Sequence, residues 1–281
     1  MKSKNKKKIR IVFIIILALA IFLLPGFYSG LKTVTYELKS EKISSAVRLA
    51  LVSDLHSCRY GKNQEELLNA IESGSPDAIL ITGDFFDDKI PSENCEFFLK
   101  GVSGKYPVFY VTGNHEYWSE QDKFDTDMQM LKDYGITRLS GDIRIIEIRG
   151  NKIAVCGIDD PYVFYKNEAN TFTDELESVT ENLPKDIYSI LMTHRPEHFE
   201  SYQNRGFDLV VSGHAHGGQW RIPGLINGLY APNQGLFPKY AGGLYDRLPT
   251  KMIVSRGLAR ESTRIPRIYN RPELVFIDLI Q

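Results

Sequence analysis

Asp54 and His56, Asp84 and Asp87, Asn114 and His115, His194, and the pair His214 and His216 are the side chains of this sequence whose types and spacing could do chemistry. They fall in five short segments, S-D-L-H, G-D-F-F-D, G-N-H-E, T-H-R-P and G-H-A-H-G-G-Q, and each follows an apolar run. Taken singly, each has a plain structural reading. D-x-H is common, Asp84 could cap a helix, and G-N-H-E could be a β-turn. Their joint occurrence argues for more, because D-x-H and H-x-H each throw two donors to the same side of an extended chain. Mixed nitrogen and oxygen donors without thiolate suit manganese, iron or zinc, and affinity order does not choose among them. Two such cations ~3.5 to 4 Å apart can activate a bridging water and clamp a phosphoryl group for in-line displacement. His198, four residues past His194, stands outside the pattern and reads as structural or as a support behind the ligands.

Elements must carry these segments to one place. Apolar runs predict strands over residues 47–53, 78–82, 107–112, 143–149, 152–157, 187–193, 207–212, 251–255 and 273–279, with helical patterns over 63–73, 92–102, 121–134 and 173–182. That alternation is α/β organisation, and five of the six histidines sit at strand ends, where open α/β sheets place ligand-binding residues. Gly74-Ser75-Pro76 and Gly135 supply helix stops, and the runs on either side of Gly150-Asn151 predict a β-hairpin. A mixed sheet arrangement follows.

The amino terminus is of a different kind. Lys2, Lys4, Lys6, Lys7, Lys8 and Arg10 precede the run IVFIIILALAIFLL, and residues 1–30 hold no acid. With the following PGFY the apolar stretch covers 11–28, enough to span a bilayer, and the basic cluster predicts a cytoplasmic tail over 1–10. The competing reading is a cleaved signal peptide, for which the sequence after residue 28 offers a weak cleavage site. The expected layout is a single-pass anchor, a juxtamembrane segment and first strand over 29–46, and an extracytoplasmic catalytic domain over 47–281. Beyond residue 30 the chain has 28 basic against 35 acidic side chains, a net of −7, which is no footprint for nucleic acid. Cys58, Cys95 and Cys156 are an odd number without C-x-x-C spacing and suggest neither a disulfide framework nor a zinc knuckle.

In order and spelling the five segments resemble the signature of the calcineurin-like metallophosphoesterases: D-x-H, G-D-x-x-D, G-N-H-D/E, an isolated His and G-H-x-H. The resemblance covers about residues 47–281. It implies two packed mixed β-sheets flanked by helices in four layers, with two divalent metal ions at the strand ends. Carried over by position, Asp54, His56 and His216 hold one metal, Asn114, His194 and His214 the other, and Asp84 bridges them. His115 is then the general acid toward the leaving group, oriented by Asp87. Protein phosphatases of the superfamily carry an arginine where this chain has Asp88, so that activity is disfavoured.

The tail G-G-Q-W-R-I-P-G, Y-A-G-G-L-Y and V-S-R-G-L is similar to a bacterial membrane-associated branch that includes UDP-diacylglucosamine pyrophosphohydrolase-like enzymes and general phosphodiesterases. The resemblance implies a phosphodiester or pyrophosphate substrate, lipid-linked or in the envelope, with a phosphomonoesterase or a non-catalytic metal-stabilised module as alternatives. Arg59, Lys62, Arg221 and Arg256 lie near the motifs and are candidates to contact phosphate. The Gly- and aromatic-rich stretch 220–245 is a candidate wall for an acyl or head-group cleft.

Overall fold

Leu49 and Leu51 turn to one side of their strand and Ala50 and Val52 to the other, and the same alternation in neighbouring strands sets the layers of the molecule. The structure, a computed structural model, describes residues 2–166, 171–260 and 265–281. In chain order its elements are α1 (Lys2–Leu23), β1 (Lys32–Lys39), β2 (Val47–Val52), α2 (Glu65–Gly74), β3 (Ala78–Thr82), α3 (Glu93–Val102), β4 (Val108–Val111), α4 (Asn114–Trp118), α5 (Gln121–Asp133) and β5 (Thr137–Arg138). They continue as β6 (Asp142–Ile148), β7 (Asn151–Gly157), α6 (Phe172–Glu181), β8 (Tyr188–Met192), α7 (Phe199–Tyr202) and β9 (Leu209–Ser212). The last are β10 (Tyr230–Ala231), β11 (Gly235–Leu236), β12 (Gly243–Arg247), β13 (Thr250–Val254) and β14 (Glu273–Ile280).

Two six-stranded mixed sheets form, in the orders β1-β14-β2-β3-β4-β5 and β12-β13-β9-β8-β7-β6. In the first, β14 runs antiparallel to β2 while β2, β3, β4 and β5 are parallel. In the second, β7, β8, β9 and β13 are parallel, with β6 and β12 antiparallel at the edges. The central strands AILIT and YSILM are buried along their whole length, as strands covered on both faces must be.

Between the sheets lies one core layer, with Leu49, Leu51, Leu80 and Val111 from one side and Ile153, Val155, Ile190, Met192 and Val211 from the other. The outward residues of the first sheet pack on α2, α3 and α5 through Leu67, Phe98, Leu99 and Leu131. Those of the second pack on α6 and α7 through Leu176, Val179, Phe199 and Tyr202. Each large apolar side chain so removed from water contributes roughly 1.5–3 kcal/mol. The four-layer order expected from the sequence is the one observed.

The expected β-hairpin forms between β6 and β7: Ile148 faces Asn151 and the two-residue turn Arg149-Gly150 has positive φ at both positions, 51° and 79°. One element differs from expectation: the segment after Gly113 is not a bare turn but the first residues of α4. The first strand expected within 29–46 is β1, which pairs with β14 along all eight of its residues. All three cysteines are buried. Helix α1 is long and apolar enough to cross a membrane. It leads through Gly26, whose carbonyl accepts the Tyr269 N–H at 2.7 Å, onto the body of the chain.

Candidate active site

Strand register brings the motifs together. Val52 pairs with Ile81 and Thr82 with Val111, so Asp54, Asp84 and Asn114 emerge side by side from level strand ends. Met192 pairs with Val211 in the other sheet, which levels His194 with His214. All seven candidate ligands are buried. Their ligand atoms form two groups, Asp54, His56, Asp84 and His216 in one and Asp84, His194 and His214 in the other, with the atoms of each group within 4.8 Å of one another. Asp84 belongs to both, its Oδ2 lying 3.1 Å from His194 Nε2 and 3.6 Å from His56 Nε2. Asn114 lines the same pocket, and its Oδ1 is buried without a hydrogen-bond partner.

These donors fit a pair of metal ions. His56 Nε2 is buried and unpartnered, and His194 Nε2 and His214 Nδ1 face each other at 3.1 Å. In each of these three rings the other nitrogen is already held. His194 Nδ1 donates to the Thr82 carbonyl at 2.8 Å and His56 Nδ1 to Asp87 Oδ2 at 3.2 Å, while His214 Nε2 lies between Asn233 Oδ1 at 2.9 Å and Arg195 Nη1 at 3.0 Å. Such partners fix the tautomer and aim the remaining lone pair.

Charge balance points the same way. Burial resists a charge on Asp84, yet His194, His115 and His56 outweigh it and hold the carboxyl well below the usual range. Burial likewise opposes a charge on His194, but Asp84 overrides it and pushes the imidazole up to about 10. Protons thus stand where cations would compensate the buried carboxylates. Burial also raises Asp54 and drives His214 and His216 well below the histidine range.

The backbone is bent to make this site. Asp54, His56, Asp84, His214 and His216 have φ between 46° and 64°, a left-handed region that side chains other than glycine seldom adopt. Strain of that kind costs of order 1–3 kcal/mol per residue and persists where the surroundings over-determine it. Glu116 supplies part of that force: its buried carboxylate accepts the N–H groups of Asp84, Phe85, Phe86 and Gly113 at 2.7–3.1 Å, tying the second motif to the third. Burial, then the charge of Asp84, push its carboxyl up to about 7, while the amide donors pull the other way.

Two expected roles are redistributed. The carboxylate on His115 Nδ1 is Asp88, at 2.7 Å, whereas Asp87 lies 3.7 Å away and turns to His56. The three candidate arginines do not line the pocket. Arg59 bonds the carbonyl of Gly61, Arg221 that of Asn227, and Arg256 pairs with Glu273. Lys62 lies in a turn before α2 and is likewise outside. Among the described residues the arginine lining the pocket is Arg195, buried, with Asp160 accepting from Nε and Nη2 and with Nη1 2.8 Å from Asn233 Oδ1. Its signal in the sequence was adjacency to His194.

The metal pocket is a cavity of about 660 Å³. Trp118, Tyr162, Glu197 and His198 also line it. From the 220–245 stretch only Pro232 and Asn233 reach it, while Trp220, Ile222, Ile226 and Leu229 instead meet the end of α1 around a separate apolar cavity of about 400 Å³.

Residues 47–218 match the family model described as calcineurin-like phosphoesterase. Similar curated proteins are the uncharacterized metallophosphoesterase YkoQ of Bacillus subtilis, 27% identical over 94% of this chain and 99% of its own length, and an uncharacterized metallophosphoesterase of Aquifex aeolicus, 27% identical over 92% and 97%. Among solved structures, Haemophilus influenzae NAD nucleotidase is 16% identical with a TM-score of 0.51, covering 76% of this chain and 45% of the other. A 5'-nucleotidase precursor from Thermus thermophilus is 12% identical with a TM-score of 0.51, covering 84% and 54%. This chain spans about half the length of those two structures, and the likeness is one of fold.

Proposed function

The chain belongs to the calcineurin-like phosphoesterases, a metallophosphoesterase with a His/Asp site of dinuclear type, and on that premise we propose that it cleaves a phosphodiester or pyrophosphate bond in a membrane-associated substrate. The observation that carries the reading is Asp84 Oδ2 set between the two ligand groups, with His115 on the wall of the same pocket. Asp54, His56 and His216 would hold one divalent cation, Asn114, His194 and His214 the other, and Asp84 both. When bound, that pair supplies activation of the attacking water and neutralisation of the phosphoryl oxygens.

The protein's own groups do the rest. Asp88 holds Nδ1–H of His115, which leaves Nε2 as the nitrogen that gives its proton to the departing oxygen. Water adds its oxygen to phosphorus, the bond from phosphorus to the leaving oxygen breaks, and that oxygen leaves protonated. Arg195, anchored through Asp160 and lining the pocket, brings a positive charge toward a non-reacting phosphoryl oxygen. Asp87 serves the ligand His56 rather than the acid. Helix α1 and its basic flank support an uncleaved anchor, with the active site outside the cytoplasm and lipid-linked or envelope phosphates within reach. The tail motifs support the membrane-associated bacterial branch.

Full-length protein in detergent with Mn²⁺ is expected to hydrolyse bis(p-nitrophenyl) phosphate faster than p-nitrophenyl phosphate. His115→Ala and Asp84→Asn should each lower kcat at least 10²-fold. Wild-type rates in both variants would remove the site from the reaction, and a preference for the monoester would make the chain a phosphomonoesterase.

A further inference from the structure

One stretch of the pocket wall has no part in the hydrolysis just described. Trp118, Tyr162 and Glu197 form it, beside the acid His115 and Arg195, and its members are joined. The Trp118 ring lies 4.6 Å from the His115 ring and 6.0 Å from that of Tyr162. The Tyr162 N–H donates to Asp160 Oδ1, Asp160 pairs with Arg195, and Arg195 Nη1 lies 3.5 Å from Glu197 Oε1.

Two features of this wall are unusual. Trp118 is 49% exposed although its ring stands against that of the proposed acid, so much of a large apolar side chain on the pocket wall is left uncovered. Glu197 has its second oxygen, Oε2, buried without a partner. An unpaired buried carboxylate oxygen is costly, and beside a phosphoryl group it would also repel. Glu197 lines the pocket, where an uncharged, donor-bearing group would suit its carboxylate better than a phosphoryl oxygen.

Resting on the hydrolytic reading above, we infer that this wall is a subsite for a ring in the substrate's leaving arm, with the ring face on Trp118 and Tyr162 and a ring hydroxyl or amine donating to the Glu197 carboxylate. Exposed tryptophan faces accept flat or gently puckered rings, and a carboxylate selects edges that carry donors. A cavity of about 660 Å³ lies within the range that accommodates small-molecule ligands. A sugar and a nucleoside both satisfy this chemistry, whereas an acyclic arm such as glycerol satisfies only the donor half.

The test uses the full-length Mn²⁺-loaded protein and four diesters: glycerol phosphodiesters carrying glucose or uridine, bis(p-nitrophenyl) phosphate, which has rings but no donor, and glycerophosphoglycerol, which has donors but no ring. Glu197→Gln should reduce kcat/KM for the glucose or the uridine diester about tenfold relative to bis(p-nitrophenyl) phosphate. Trp118→Ala should reduce it for the ring-bearing diesters about tenfold relative to glycerophosphoglycerol. Which of the two diesters responds to Glu197→Gln assigns the ring as sugar or nucleoside. Ratios unchanged in both variants, or a parallel fall across all four substrates, would overturn the subsite. Failure of the wild-type protein to hydrolyse any diester would instead overturn the hydrolytic reading.

Discussion

Asp87 and Asp88 are neighbours in sequence and serve different histidines, and that division gives separable outcomes. Asp88→Asn should lower kcat about 10- to 100-fold on a diester with an alkyl leaving group, which needs protonation, with KM little changed. Asp87→Asn acts through His56, so the Mn²⁺ concentration for half-maximal activity should rise about 10- to 100-fold, with kcat recovered at saturating metal. Metal titrations of both variants decide the matter, and identical behaviour would show that the two carboxylates act as one. Glu175 carries a second prediction. Its Oε2 accepts the Asp159 N–H at 3.0 Å, and burial, then the charge of Asp159, push its carboxyl up to about 7. A folded pKa above the unfolded value means that the folded chain holds a proton the unfolded chain has lost, so this group's contribution to stability falls as pH rises from about 4.5 to about 7. Glu175→Gln should therefore stabilise at pH 8 and much less at pH 5, by about 1 kcal/mol at most for a partly solvated group. Thermal melts at the two pH values measure it, and an equal gain at both would rule out the charge as the cause.

At the scale of elements, the strand ends were legible in the sequence because the central strands are continuous apolar runs that stop where the motifs begin: AILIT ends at Thr82 and Gly83-Asp84 follows. Some edge strands were placed less sharply: β12 was not foreseen, and β1 was expected only as a first strand within 29–46. In β1 most side chains are exposed or half-buried, so KTVTYELK carries little apolar signal, and its pairing with β14 is set by residues some 240 positions away. Hidden for the same reason were Asp88 on His115 and Arg195 in the pocket, since which way a side chain turns after a strand end depends on the loop facing it. Those loops pack backbone to backbone. A Cβ on Gly83, at φ 77°, would lie 2.6 Å from the Gly113 amide nitrogen and 2.8 Å from His194 Nδ1. Gly83→Ala is accordingly expected to cost about 2–4 kcal/mol and to weaken metal binding together with stability. Calorimetry with and without Mn²⁺ checks it, and an unchanged metal-induced rise in Tm would show that the second and third motifs are not mechanically coupled.

For the molecule as a whole, the contacts at the end of α1 bear on whether it stays with the catalytic body or is cut away. Tyr269 donates its N–H to the Gly26 carbonyl and its ring meets that of Phe22 at 5.4 Å, while the Arg271 guanidinium lies 4.8 Å from the Tyr28 ring centroid. Phe22, Leu23 and Phe27 close one side of the apolar cavity whose other side is Trp220, Ile222, Ile226, Leu229 and Ile268. Cleavage near residue 28 would uncover that apolar face at the surface, where a patch of this kind promotes association. The reading as an anchor therefore predicts that protein extracted from membranes has the full mass of 32.0 kDa and that protease added from outside intact cells degrades the catalytic body. A chain lacking residues 1–28 should need detergent to stay monomeric in sedimentation, and Trp220→Ser with Ile226→Ser should relieve that need. A mature chain lacking the helix, monomeric in plain buffer, would instead make residues 11–28 a signal sequence and leave the face around Trp220 as ordinary surface.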